Sequence, residues 1–430
     1  MAPIELHFVV IGGGIGGLST ALQVARYGHS VTVLEASAAT EDTGAGINVP
    51  PNAARILFDL GLGDVLHEHG VHPTALVWRR YADGSELSRY STKEMAEKHG
   101  APYINIHRGH LAEAFLKRAA TYDKVKVRFG SPVESISVGE GETQKPSVTL
   151  TTGEVIEGDI IVGADGIRSI TRPLVTGNGD RPRDTGDVAF RALLETSEML
   201  KDPDLAPLVE QQEVQVWVGP GRHIVSYNIN SKKQYHLALA RPGDPSLYSN
   251  ESWIVETSPE TMCAGFEEWE VRVKKLLGLV KTANKRKLVD RVPVAGWIHP
   301  TGRVLLLGDS CHPMLPYRAQ GAAMAMEDAA TLGVLFSQIT SLSEILPLST
   351  AYQSLRSPRC AAAQLASQAN RVAFHLPDGP DQVTRDAKLA EANSNPIAVE
   401  NDNRTTFDYD AIKVAREWLE EYKSGKESKN

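Results

Sequence analysis

The chain has 430 residues, of which 42% are hydrophobic, and a net charge of −8. That length fits two or three domains, or one interleaved pair, around a large core, and the acidic balance argues against nucleic acid as the main partner. Cys263, Cys311 and Cys360 lie far apart without a CxxC pair, so neither a disulfide framework nor a metal ligand set is expected, and a reducing, cytoplasmic compartment is.

Leu6 to Ile11 reads as a buried strand, too short for a signal-peptide core. Ile15 to Tyr27 reads as a helix and Val31 to Glu35 as a second strand, which together make a βαβ unit. The stretch from Ala75 to Tyr90, rich in Trp, Arg and Tyr around Asp83-Gly84, reads as a hairpin. His110 to Ala120 reads as a helix. Val125 to Phe129, Val133 to Val138 and Val148 to Thr152 alternate like antiparallel strands, with 139–145 as a polar turn. Ile160 to Val162 is another buried strand. Strand-like runs dominate 187–245, which suggests an antiparallel sheet inserted between halves of an α/β domain. Residues 265–283 read as helical, 303–307 as a strand, and 349–430 as a helical tail broken near 393–397. The tail either covers the core or pairs in a homodimer. No segment approaches about 20 apolar residues, so no membrane span is expected.

Three motifs punctuate this order. The first is the GxGxxG of residues 12–17, between strand and helix. Gly12 allows a tight turn, Gly14 lets a pyrophosphate approach the backbone, and Gly17 lets the helix pack on the strand. The helix N-terminus then faces the phosphates. Glu35, ending the second strand, is placed to accept from ribose hydroxyls, and its charge disfavours a 2′-phosphate. The second motif is GADGIRS, 163–169, after a strand; its alternative is a plain strand-to-helix turn. The third runs from Gly308 through Asp309 and Pro316 to Gln320, Gly321 and Ala322, then to Glu327 and Asp328. A carboxylate at a strand end, followed by small residues, suits a large polyhydroxylated ligand. The alternative is an Asp N-cap before an Ala-rich helix.

Together, and in this order, the three motifs resemble those of the class A flavoprotein monooxygenases, the aromatic hydroxylase family. The resemblance covers residues 5–375 and is nearest to salicylate hydroxylase-like enzymes and fungal phenol-dearomatising relatives. It implies an α/β fold: a Rossmann-like FAD-binding domain interleaved with an antiparallel-sheet substrate domain and a helical C-terminal tail. The implied limits are 1–74, 91–180 and 285–360 for FAD, 75–90 and 181–284 for substrate, and 361–430 for the tail. By position, Glu35 matches the adenosine-ribose ligand, and Gly44-Ala45-Gly46-Ile47 matches the flavin-side loop. Arg108 matches the phosphate- or ribityl-contacting Arg, with a helix-start salt bridge as its alternative. Asp165 belongs to the motif used for FAD and for transient NADH or NADPH. Asp309 would meet the ribityl and ribose-side hydroxyls, and Pro316, Gly321 and Ala322 would lie along the isoalloxazine. Cys311 reads as a packed hydrophobe and His312 as structural.

The resemblance further implies a monooxygenase that inserts one atom of O2 into a small electron-rich aromatic, by way of a flavin C4a-hydroperoxide. Arg191 and Tyr227, on alternating strands, are the implied catalytic pair that holds a phenolate; His223 is a weaker candidate. Because strand parity alternates, only one of Phe190 and Arg191 faces a given side. Epoxidation of an indole is an alternative, and a non-catalytic nucleotide-fold protein a distant one. A flavin halogenase would need a WxWxIP stretch that this chain lacks.

Overall fold

The computed structural model describes residues 2–39, 45–139, 144–177, 181–243, 254–391 and 406–427. Gly44, part of the 139–145 turn and the tail break near 393–397 lie outside the described residues.

A five-stranded sheet carries the N-terminal motif, in the order Val304–Leu306, Ile160–Gly163, His7–Ile11, Ser30–Leu34, Val125–Arg128. Its pairings are parallel. Helices cover one face and antiparallel strands around Val148 and Leu150 cover the other, which is why the inner strands are runs of apolar residues without alternation. The helix Gly321–Phe336 packs on Ile15–Ala25. Small residues permit this approach: a Cβ on Gly333 would lie 2.5 Å from the Gln23 carbonyl oxygen.

Val125–Arg128 corrects the sequence reading. It pairs parallel with Ser30–Leu34, not antiparallel with its successors. Val125 and Val127 pack against the α/β core, and the chain then turns at Gly130, where φ is +59°. The antiparallel set is Val133–Ser137, Ser147–Leu150 and Val155–Glu157.

The second large sheet has eight strands, built from the Ala75–Arg80 and Glu86–Ser91 hairpin and six strands between Arg183 and Asp290. Residues 265–283, read as one helix, hold a helix only at Val271–Gly278. Gly265, with φ +85°, breaks the run on one side. On the other, Ala283–Asp290 joins the large sheet, so 285–290 pair with substrate-side strands instead of the five-stranded sheet. One face of this sheet, with Phe190, Trp217, Ile224 and Leu237, closes a core against short helices. The other looks toward the Gly12–Gly17 loop. The C-terminal part is helical, with a 30-residue helix Ile345–Phe374 that contains Pro358. No helix among the described residues is long and apolar enough to cross a membrane.

Candidate active site

A cavity of about 430 Å³ lies between the two sheets. Its ends differ in chemistry.

One end is backbone-rich. Gly14, Gly16, Gly166, Gly308 and Asp309 line it. The glycines of the first motif separate cleanly by cause. Gly12 has φ +105°, and a Cβ there would meet the Ala164 carbonyl at 2.4 Å; a Cβ on Gly17 would meet the Gly12 oxygen at 1.9 Å. The fold itself demands those two. Gly14 has φ −73° and ψ −176°, which any residue adopts, and a Cβ there meets nothing within 4 Å. The space at Gly14 is therefore free for a ligand to approach. The helix Ile15–Ala25 starts there with no side-chain cap and no acidic residue in its first turn, so its free N–H groups and dipole suit a phosphate. Asp309 is exposed and accepts no hydrogen bond from the described residues. The helix that follows has Gln320 at its N-cap, without a side-chain cap bond, so Asp309 is not an N-cap. Pro316, Gly321 and Ala322 continue the wall, around a left-handed Ala319 at φ +52°. An open approach to a helix N-terminus, a carboxylate able to accept from polyol hydroxyls and a bend of small residues together fit FAD.

Glu35, Asp165, Ala45 and Arg108, all expected at the cofactor, make bonds within the protein. Glu35 accepts from the Gly13 N–H at 2.7 Å and the Ser37 N–H at 2.9 Å, which ties the second strand to the glycine loop. Asp165 accepts from the Ile170 and Thr171 N–H groups at 2.9 and 3.0 Å and from the Thr171 hydroxyl at 2.9 Å. It shapes its own loop, and its neighbours Ala164, Gly166 and Ile167 line the cavity. Ala45 is buried; its carbonyl accepts from the Arg108 N–H at 3.0 Å. Arg108 opens the helix Arg108–Ala119, and its side chain reaches the cavity.

The other end is the inner face of the eight-stranded sheet. Arg191 is on that face, and Phe190 is in the opposite core. Arg191 makes no hydrogen bond or ion pair with the described residues. Burial pushes its guanidinium down to about 10, and Arg286 and Arg108 add to this; it stays charged at neutral pH. Tyr227 also lines the cavity, and burial raises its phenol while Arg191 lowers it. The hydroxyl is thus a neutral donor. Arg191 and Tyr227 are brought together as the sequence suggested.

Sequence reasoning missed His236 and Tyr103. His236 sits opposite Tyr227 in register, with ring centroids 4.9 Å apart. Burial, Arg191 and His107 push it down to about 3. Its Nδ1 accepts from the Gly46 N–H at 3.2 Å, so the neutral ring carries its proton on Nε2. Gly46 must be glycine, since a Cβ would lie 2.7 Å from the Tyr227 ring. The signal for His236 was parity: Ala238 and Ala240 share its face. Tyr103 carried no such pattern. His223 lines the cavity, but its Nδ1 contacts His375 Nε2 at 2.9 Å, and burial pushes it well below the usual histidine value.

Beneath the bend lies a buried ionic network. Glu327 accepts from Asn52 at 2.7 Å and from Arg359 at 2.6 and 2.8 Å. Asp328 accepts from Arg356 at 2.8 Å, from the Gly308 N–H at 3.1 Å and from His312 at 2.5 Å. Asn52 also reaches Gln320 at 3.0 Å. The two carboxylates thus fix both the Gly308-Asp309 turn and the start of the bend. His312 is the structural residue expected. Cys311, His312 and Asp328 lie close together; burial lowers the His312 imidazole, but Cys360 and Asp328 raise it well above the usual histidine value.

The comparisons agree with this arrangement. The FAD binding domain family matches residues 5–364. The FAD-dependent monooxygenase OpS4 of Beauveria bassiana (strain ARSEF 2860) is 38% identical over 89% of this chain and 89% of its own. The 3-amino-4-hydroxybenzoate 2-monooxygenase PtmB3 of Streptomyces platensis is 35% identical, over 90% of this chain and 93% of its own. A crystal structure of Klebsiella pneumoniae HpxO complexed with FAD and uric acid superposes with a TM-score of 0.77 at 25% identity, covering 95% and 97% of the two chains. A glycine loop open at Gly14, an unbonded Asp309 and a cationic sheet face across one cavity, found with these relatives, identify the chain as an FAD-dependent monooxygenase of the aromatic hydroxylase type.

Proposed function

We propose that the enzyme hydroxylates a phenolic aromatic held as its phenolate by Arg191 and Tyr227. The observation that carries this is Arg191: a charged guanidinium opening on an apolar cavity with no protein acceptor among the described residues. Arg191 is half-buried, and an unpaired charge drawn partly out of water is costly in a way that an anionic ligand offsets. The 3-amino-4-hydroxybenzoate named for one relative is such a phenol.

Bound FAD supplies reduction by NADH or NADPH and transfer of one oxygen atom from O2. The chain's own residues do the rest. Gly14 and the adjoining helix N-terminus would take the pyrophosphate. Asp309 would accept from ribityl-side hydroxyls, and Pro316, Gly321 and Ala322 would bound the ring. Glu35, Arg108 and Asp165 would complete the cofactor contacts, with Gly12, Gly17, Ala45 and Gly46 shaping them. On the sheet side, Arg191 stabilises the phenolate by charge, and the Tyr227 hydroxyl and His236 Nε2–H donate to the same oxygen. Leu76, Trp78 and Val216 exclude water around the ring. A cytoplasmic location belongs to the same reading.

Arg191→Ala tests it. One charge-assisted hydrogen bond is worth about 1.5–3 kcal/mol, or roughly one to two units of the phenol's pKa. Without Arg191 the bound phenol ionises at higher pH. The acid limb of kcat should therefore move up by about one to two units, with activity partly restored at high pH and FAD content unchanged. NAD(P)H consumption should outrun product, with hydrogen peroxide making up the difference. Full coupled turnover by the variant would reject the assignment. Loss without pH rescue would favour an indole, which has no phenol to ionise.

A further inference from the structure

We propose that the chain carries a second ligand site, outside the cavity described above, which takes the carboxylate of a small aliphatic acid.

A separate pocket of about 270 Å³ lies behind the bend that ends at Gln320. Arg318 and Gln320 line both this pocket and the active-site cavity, so the bend is the wall between them. The helix Ile345–Phe374, with Met324, Thr406 and Tyr409, supplies the rest of the lining. Three polar atoms on it are buried without a hydrogen-bond partner among the described residues: Arg318 Nε, Gln320 Nε2 and Tyr409 Oη. Arg318 is 5% exposed and Gln320 is 1% exposed. Elsewhere on these side chains, Arg318 donates to the Thr406 hydroxyl at 3.2 Å and Gln320 accepts from Asn52 at 3.0 Å. Each of the three unpartnered atoms can donate, and a buried donor left unsatisfied is costly.

Charge points the same way. Arg359 also lines the pocket, but Glu327 accepts from it at 2.6 and 2.8 Å. Glu327 and Asp328 are further paired with Arg356. Three arginines thus share two carboxylates, and Arg318 is the one without a carboxylate partner among the described residues. Burial and Arg359 push its guanidinium down to about 10, so it stays charged at neutral pH. Water accepts from the donors but leaves this charge unanswered; an anion meets both needs.

The remaining wall selects among anions. Met324, Pro358, Ala362, Ala363 and Ala366 make it apolar. Chloride or phosphate leaves that surface wet, whereas a carboxylate on a short hydrocarbon covers it and matches the guanidinium fork. The volume falls just below that of pockets for drug-sized ligands, so the hydrocarbon is short. The occupant would brace Arg318 and Gln320 on either side of the left-handed Ala319.

The test is calorimetric titration of the FAD-loaded enzyme with butyrate, and with butyramide, chloride and phosphate for comparison. Butyrate should bind the wild type about tenfold or more tightly than butyramide, the weight of one charge-assisted contact, and more tightly than either inorganic anion. Arg318→Gln should erase the preference over butyramide. Ala366→Leu fills the pocket from the helix, away from the active-site cavity; it should weaken butyrate by about tenfold or more while flavin absorbance stays that of the wild type. Arg191→Ala should leave butyrate affinity within roughly twofold. Tyr409→Phe should weaken butyrate roughly two- to tenfold, which keeps the question answerable if Arg318→Gln does not fold. Butyrate lost in Arg191→Ala but retained in Ala366→Leu would place the ligand on the sheet face and overturn the inference. No butyrate binding, equal binding of butyramide, or a preference for chloride or phosphate would overturn it as well.

Discussion

A Gly14→Val variant will fold, show a melting temperature close to that of the wild-type apoprotein, and purify colourless. The backbone at this residue is extended, and a Cβ there touches no protein atom, so the folded apoprotein accepts the side chain. The valine methyls instead fill the approach of the pyrophosphate to the helix N-terminus. Flavin content measured after incubation with excess FAD should fall below detection. The same substitution at Gly12 or Gly17 should cost the fold itself, because a Cβ there overlaps backbone. Retention of stoichiometric flavin by the Gly14 variant would show that the cofactor lies elsewhere.

The largest loss of stability should come from Arg356→Met. Arg356, Glu327 and Asp328 are fully buried, and Arg356 bridges the two carboxylates at 2.7 and 2.8 Å. Removing one partner of a buried pair leaves an uncompensated charge, at a cost of about 3–5 kcal/mol. Urea unfolding midpoints should show it. Flavin should be lost in parallel, since Asp328 also holds the Gly308 N–H. Burial pushes both carboxyls up, but Arg359 and Arg356 at Glu327, and His312 and Arg356 at Asp328, hold them below their ordinary values. Their contribution is therefore present above about pH 4 and lost as pH falls below it. A variant as stable as wild type would mean that the network relaxes around the missing cation.

Much of this was legible in the chain. The βαβ unit announced itself through apolar runs and a glycine pattern, because a parallel strand covered on both faces has no polar side to confuse it. Arg191 and Tyr227 were legible through parity and resemblance. What was hidden was tertiary. Whether Val125–Arg128 pairs forward or backward depends on its neighbours and not on its own alternation. Ala283–Asp290 carries the run Lys285-Arg286-Lys287, which lacks strand character by composition, so its strand and Arg286 went unseen together. Glu327 and Asp328 looked like a polar helix turn until their facing cations, some 28 to 32 residues away, were in place. Glu35 and Asp165 had the expected positions, but the bonds they make within their own loops could not be read from spacing.

The central claim is that this cavity transfers one atom of O2 to a bound phenol. A single turnover of the FAD-loaded, NAD(P)H-reduced enzyme under 18O2, with a hydroxybenzoate as substrate, tests it directly. The expected product is hydroxylated and carries one 18O atom per molecule. Product free of label, or label entering only from H218O, would contradict it.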